Sequence, residues 1–201
     1  MKNLEDQPAF RAFVERVSDA VGREGTQRLL LEEVGDAARV LVATDEWLPQ
    51  AATVPHPQYY QQYLLYCDPD ERFTVVSFVW GLGQSTPIHD HMTWGVIAML
   101  RGAETGERYA LGELASGGPM QKQEEAVLRP GDIEFVSPEV GDIHKVSNAC
   151  ADQVSISIHT YGGNIGRISR HVYDAASGQP REFISGYANA DAATRGYGRF
   201  A

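Results

Sequence analysis

The sequence predicts a mainly β domain, a small barrel or sandwich, with helices placed before it. Three observations predict it. Apolar residues recur at helical spacing only near the start of the chain. From Phe73 onward, short β-branched and aromatic runs follow one another. Glycine and proline turn signals separate those runs at regular intervals.

Residues 4–48 read as helices. Phe10, Phe13, Val14 and Val17 fall three and four apart, as on one helix face. After Gly25-Thr26, the residues Leu29, Leu30, Leu31, Val34, Ala38, Val40 and Leu41 predict a second helix. Pro49, Pro55 and Pro57 mark a loop, and Tyr59–Tyr66 reads as a short third helix. Phe73–Trp80 is the first clear strand, rich in valine, phenylalanine and threonine. Further strands are expected near 94–100, 106–111, 124–129, 132–136, 142–147 and 153–160, with Glu124 and Glu125 in a solvated turn. The turn signals between them are Gly81-Leu82-Gly83, Gly102, Gly117-Gly118-Pro119, Arg129–Asp132 and Pro138. His171–Gly178 followed by Arg181–Ile184 reads as a late hairpin. The domain plan is a helical segment over 1–66, a β-domain over 67–187 and a loosely held tail over 188–201, one domain overall.

Composition narrows the function. Of 201 residues, 43% are hydrophobic and 22% charged, ordinary values for a globular protein with a real core. The net charge is −10 and no Lys/Arg run occurs, which argues against a nucleic-acid partner. The start carries no apolar leader and no apolar run reaches membrane-spanning length, so the expectation is a cytoplasmic protein with no membrane partner. The two cysteines, Cys67 and Cys150, make no disulfide framework and no zinc spacing.

The chemistry concentrates in Thr86–His91. His89 and His91 are two apart, so on a strand both point to one face while Asp90 points to the other. His144, in Gly141–Asn148, is the third candidate. Three neutral imidazoles that leave coordination positions open make a catalytic metal site. Asp90 and Asp142 each neighbour a candidate ligand, and alternation turns them away from the ion. His56 and His171 are read as non-ligands. Ser157, His159 and Tyr161 stand at i, i+2 and i+4, on one face of another strand.

Gly83, His89, His91, Gly95 and Gly102 resemble the first cupin motif, and Pro138–Asn148 resembles the second. The usual glutamate a few residues after the second histidine is missing: Met92–Val96 holds no acid. Without it the ion keeps its full positive charge, which favours an anionic thiolate ligand. A three-histidine cupin of this kind resembles the cysteine dioxygenase family of thiol dioxygenases, over about Tyr59 to Phe183. The resemblance implies a jelly-roll barrel, an Fe(II) cofactor on His89, His91 and His144, and a hydrogen-bonded relay Ser157-His159-Tyr161 that puts a tyrosine hydroxyl near the iron. The histidines alone do not choose iron, since three imidazoles also hold catalytic zinc.

Two departures refine it. Animal members carry a cysteine that crosslinks to the active-site tyrosine, and by spacing from Gly102 that position is Gly95 here. Members selective for cysteine carry an arginine where this chain has Gln62. Glutamine there resembles the bacterial branch of 3-mercaptopropionate dioxygenases, in which a later arginine holds the substrate carboxylate. Arg170 is the match and Arg167 its rival. The resemblance implies a small thiol carboxylate and O₂ as partners, 3-mercaptopropionate ahead of L-cysteine, in a monomer or weak homo-oligomer. The competing expectations are a carbon–carbon-cleaving cupin dioxygenase and a non-enzymatic ligand-binding or sensor module. Trp80 and Trp94 are candidate pocket walls.

Overall fold

The computed structural model describes residues 3–112 and 118–190. Two antiparallel helices, α1 (Pro8–Gly22) and α2 (Gln27–Leu41), precede eleven strands among the described residues. Pro8 opens α1 at a position where no backbone N–H is needed. The Thr26 side chain caps α2 by accepting from Leu29 N at 3.3 Å. The predicted stripes are the buried faces: Phe10, Phe13, Val14 and Val17 on α1, then Leu31, Val34, Ala38 and Leu41 on α2. Leu29 and Val40, expected within α2, lie on its exposed side.

The strands are β1 (Gln61–Cys67), β2 (Phe73–Trp80), β3 (Ile88–His89), β4 (Gly95–Arg101), β5 (Glu104–Ala110), β6 (Gln121–Leu128), β7 (Ile133–Val136), β8 (His144–Asn148), β9 (Ser155–Gly162), β10 (Arg170–Tyr173) and β11 (Pro180–Phe183). They form two antiparallel sheets, in the orders β1-β2-β9-β4-β7 and β11-β10-β3-β8-β5-β6. The mainly β sandwich with helices before it is therefore as expected, and so is the hairpin β10–β11.

Every residue of β2 and β9 is buried. The first sheet is covered on both faces. Outward residues such as Val75, Val79, Ile156 and Ile158 pack under the helices, in one core with Phe10 and Val34. Inward residues such as Val76, Trp80, Ile97 and Tyr161 make a second core between the sheets. A strand with two dry faces reads as a continuous apolar run, which is why β2 was so clear in the sequence.

Tyr59–Tyr66 is not a helix. From Gln61 it is strand β1, paired from Gln61↔Val79 to Cys67↔Thr74. Its aromatic and leucine spacing fits either period, but the open edge of β2 offers a full ladder of partners, and pairing wins over local preference. Tyr63 and Leu65 then face the helices while Leu64 faces the inner core. Glu124 and Glu125 also differ from expectation: they stand on β6, an exposed edge strand, opposite Arg108 and Glu107. At the other edge, Asn189 brackets β1, accepting from Leu64 N at 2.9 Å and donating to Leu64 O at 3.0 Å. So the start of the expected loose tail is pinned. Residues 191–201 of that tail, and Gly117 of the turn signal, lie outside the described residues. Among the described residues no helix is long and apolar enough to cross a membrane.

The helical layer depends on Phe10, fully buried and stacked on Trp47 with ring centroids 5.3 Å apart. Phe10→Ala is expected to lower unfolding free energy by about 3–5 kcal/mol, from lost transfer energy plus the cavity left behind. Urea unfolding followed by tryptophan fluorescence measures it; a change below about 1 kcal/mol would mean the helices contribute little to the fold.

Candidate metal centre

The two facing sheets each bring part of the site. On the second sheet, His89 of β3 pairs directly with His144 of β8. His91 follows one turn of chain later, beyond β3. The three rings lie with centroids 4.8 to 4.9 Å apart. Their candidate ligand nitrogens all fall within 4.8 Å of one another, and all three residues are buried. This group contains three histidines and no carboxylate.

Burial decides the charge state. It pushes His89 down to about 3 and His144 well below the ordinary histidine value, with the neighbouring imidazoles adding to the effect. Both are neutral near pH 7, the form that ligates a metal. His91 Nε2 and His144 Nδ1 are buried without any hydrogen-bond partner. Unpartnered imidazole nitrogens in a dry interior are costly unless an ion takes the lone pair. The donor set therefore fits a divalent metal.

Outer contacts orient the rings. His91 Nδ1 lies 3.0 Å from Asp142 Oδ1, and Met92 N donates to Asp142 Oδ2 at 3.0 Å. His89 Nδ1 lies 3.1 Å from Pro87 O. Each contact favours a proton on Nδ1, leaving Nε2 of that ring for the ion. Asp142 supplies a carboxylate at one remove from the cluster; burial opposes its charge, but the contact with His91 outweighs it and holds the group below the usual carboxylate range. Asp90 turns away, as alternation requires. It accepts from His171 N at 2.7 Å and from Tyr173 OH at 2.8 Å, with His171 Nδ1 at 2.8 Å. His171 and His56 stand outside the three-histidine cluster; His56 stacks on Tyr59 in the proline loop. An open cavity of about 340 Å³ that includes His171, Tyr173 and Leu111 lies on this outer side, with none of the three clustered histidines in its lining.

The first sheet faces the cluster with β9. Ser157 Oγ lies 2.8 Å from His159 Nε2, and His159 Nδ1 lies 2.7 Å from Tyr161 OH. Trp80 Nε1 donates to Ser157 Oγ at 3.4 Å. The Tyr161 ring stacks on His91 with centroids 5.5 Å apart, which brings the relay to the histidine cluster. Burial drives His159 well below its ordinary value and Tyr161 well above its own, so both are neutral. Gly95 pairs with Tyr161 across the sheet, and a Cβ there would fall 2.7 Å from the ring. The backbone needs glycine at this place because the tyrosine fills the space. Cys67 and Cys150 are free.

The two candidate arginines separate cleanly. Arg167 is exposed and paired with Glu71 at 2.9 Å. Arg170 is buried, donates to Ser185 Oγ at 2.6 Å and lies over the Phe183 ring at 4.6 Å. Its Nε has no partner. Tyr161, Tyr60 and Tyr187 are among the groups that act on its charge. Gln62 sits on the inward face of β1, the face of Leu64, and its Oε1 is buried and unpartnered. Its carbonyl accepts from Ala188 N at 2.8 Å, tying β1 to the segment that carries Ser185. Trp80 is fully buried in the inner core between the sheets, stacked with Tyr60 at 4.6 Å. Trp94 packs against the helix-covered core, over Gly162, and lines a cavity beside the helices together with Leu29 and Leu30. Sequence reading missed Tyr60, Ser185 and Glu104. Tyr60 was hidden by the helix assignment, and the other two carry no spacing signal.

The chain matches the family described as cysteine dioxygenase type I over residues 45–174, more than half its length. Cysteine dioxygenase type 1 of Bos taurus is 25% identical over 114 residues, 56% of this chain and 55% of that protein. The Homo sapiens protein of the same name is 29% identical over 91 residues, 45% of this chain and 44% of that protein. The chain thus spans about half the length of the curated relatives it matches. Among solved structures, a cupin superfamily protein of Desulfitobacterium hafniense superposes with a TM-score of 0.42 at 14% identity, covering 58% of this chain and 90% of that one. On the family match, this chain belongs to the cysteine dioxygenase type I family.

Proposed function

We propose that the protein is a non-haem iron(II) thiol dioxygenase that oxidises a small mercapto acid to its sulfinic acid, with 3-mercaptopropionate preferred to L-cysteine. One observation carries the reading: three buried, clustered histidines, with His91 Nε2 and His144 Nδ1 unpartnered, lie against a Ser157-His159-Tyr161 relay, inside a member of the cysteine dioxygenase type I family. The net reaction is RSH + O₂ → RSO₂⁻ + H⁺, so both oxygen atoms end on sulfur and one proton leaves.

His89, His91 and His144 would hold the iron. Bound there, ferrous iron supplies the one-electron chemistry that joins a thiolate sulfur to O₂. The chain's own residues do the rest. Arg170 carries a positive charge in a dry place with a free N–H, the group that a carboxylate tail pairs with best. Pairing there fixes the substrate by its tail and leaves the thiol end to reach the histidine cluster. Tyr161 offers a neutral hydroxyl beside the cluster, held by His159, to hydrogen-bond the substrate or developing negative charge on oxygen. The inner core of Trp80, Phe78 and Ile97 keeps water away from these groups.

Gln62 supports the preference for 3-mercaptopropionate. An arginine at that place would put a second cation on the inward face of the sandwich; a neutral amide leaves Arg170 to pair with the one carboxylate.

Oxygen uptake by the iron(II)-loaded protein, with both thiols at matched concentration and the sulfinates identified, tests the assignment. A kcat/KM at least tenfold higher for 3-mercaptopropionate is expected. Preference for cysteine would overturn the Gln62/Arg170 reading, and no uptake with either thiol would sink the dioxygenase assignment in favour of a binding module or another cupin chemistry. Arg170→Gln is expected to raise KM about 10–100-fold with a smaller effect on kcat, since a charge-assisted hydrogen bond contributes about 1.5–3 kcal/mol. Asp142→Ala is expected to weaken metal affinity about 10–100-fold, measured by chelator competition, because His91 then loses its orienting partner. Unchanged affinity would show that Asp142 serves only the backbone of Met92.

A further inference from the structure

Glu104 is a carboxyl group that the reaction described above does not use. It opens β5 just after the Gly102 turn and is 0% exposed. Along β5, Glu104, Gly106 and Arg108 share the face that bears on the space between the sheets. Arg108 pairs with His144 in the ladder, so Glu104 lies four residues down its strand from the metal row. On the facing sheet, Ser157 lies four residues down β9 from Tyr161. The two strands thus bring Glu104 to the far end of the relay.

Its ladder partners give it nothing. Leu128 is apolar, and the Asn148 amide is committed to the carbonyls of Trp80, Gly81 and Gln153. Both Glu104 oxygens and Ser155 Oγ are buried without a hydrogen bond of good geometry. The titratable and charged groups around Glu104 are His159 beyond Ser157 on β9, Glu134 on β7 and Arg108 on its own strand. Arg108 is taken, paired to Glu134 at 3.1 Å. Burial pushes the Glu104 carboxyl up to about 8; the Ser157 and Ser155 hydroxyls pull it partly back, and Glu134 pushes it further up.

We propose that Glu104 is a positioning residue: as a neutral carboxylic acid it sets the direction of the hydrogen bonds from Ser157 through His159 to Tyr161, and its ionisation reverses them. The bond count of one serine hydroxyl carries this. Ser157 has one proton to give and two lone pairs, and Trp80 Nε1 already donates to one of them. A neutral Glu104 whose O–H faces Ser157, with the Ser155 hydroxyl donating to its other oxygen, fills the second. Ser157 must then donate to His159 Nε2, His159 donates from Nδ1 to Tyr161, and the Tyr161 proton is free to point into the pocket. An ionised Glu104 can only accept. Ser157 then donates to Glu104, His159 carries its proton on Nε2 and donates it to Ser157, and Tyr161 must donate to His159 Nδ1. The ionisation sends one proton to solvent, and His159 stays neutral in both states. In the first state Tyr161 presents a donor to the pocket; in the second it presents only lone pairs. The consequence for catalysis rests on the thiol dioxygenase reading, but the reversal itself does not.

The test is the protonation site of His159, read by ¹⁵N NMR of the metal-free full chain with labelled histidine and assigned through His159→Gln. The expected result is a proton on Nδ1 at neutral pH that moves to Nε2 with a midpoint near 8. Glu104→Gln, whose amide still donates to Ser157, is expected to keep the proton on Nδ1 throughout. A wild-type His159 that keeps one tautomer across that range, or a Glu104→Gln protein with the wild-type midpoint, overturns the proposal. Should Glu104→Gln fail to fold, Ser157→Ala decides: a midpoint retained without the serine link also overturns it. No thiol turnover enters this measurement, so failure of the dioxygenase assignment and failure of this inference are told apart.

Discussion

The site depends on the register of one very short strand. β3 is two residues long, yet its pairing of His89 with His144 on one side and with Val172 on the other decides which way the imidazoles point. A slip of one residue would turn His89 to the outer face and bring Asp90 inside. Two sets of contacts hold the register. On the outer face, Asp90 gathers His171 and Tyr173 of β10. Before the strand, Thr86 pairs with Val146 through both backbone and side chain: Thr86 N donates to Val146 O at 2.9 Å, and Val146 N donates to Thr86 Oγ1 at 2.9 Å. A buried aspartate facing away from the metal is thus part of what keeps the ligands facing it.

Burial without charge governs the rest of the interior. His89, His144, His159, Tyr161 and Glu104 are each driven toward the neutral form by desolvation. Such an interior is built from groups that both donate and accept, and direction along the chain becomes a degree of freedom that packing alone does not fix. Charged groups border it: buried Arg170 over Phe183, Asp142 behind His91, Asp90 on the outer face, and Arg108 of β5 paired with Glu134 of β7.

Much of this was legible in the sequence, because period-2 alternation is a strict rule. His89/His91 and Ser157/His159/Tyr161 each share a face by spacing alone, and Asp90 is turned from the ion for the same reason; Asp142, two residues before His144 and ahead of β8, is placed instead by its contact with His91 Nδ1. What alternation does not carry is which face of an isolated strand meets the core, or which strand lies opposite it. Glu104, Gly106 and Arg108 satisfy the same spacing as the relay, but only the packing of β5 across from β9 gives Glu104 a meaning. Tyr59–Tyr66 fails differently. Its apolar pattern is compatible with both periods, and the free edge of β2 decides between them. The choice between Arg170 and Arg167 likewise needs burial, since both follow the same glycine-rich turn and only one turns inward.

Gly95 connects these themes. It lies where animal relatives of the family are expected to carry the cysteine that crosslinks to the active-site tyrosine, and it pairs directly with Tyr161. With no covalent link, the ring is held by the wall of Val136 and Gly95, by stacking on His91 and by one hydrogen bond to His159. Packing fixes the ring plane and the position of the oxygen. It does not fix the hydroxyl proton, which can swing about the C–O bond at little cost. In this chain, only the His159 contact decides whether that proton faces the metal pocket or the interior, and His159 in turn follows Ser157. With glycine opposite it, the tyrosine hydroxyl is governed by a hydrogen-bond network, and on the inference drawn for Glu104 the far end of that network becomes part of the site.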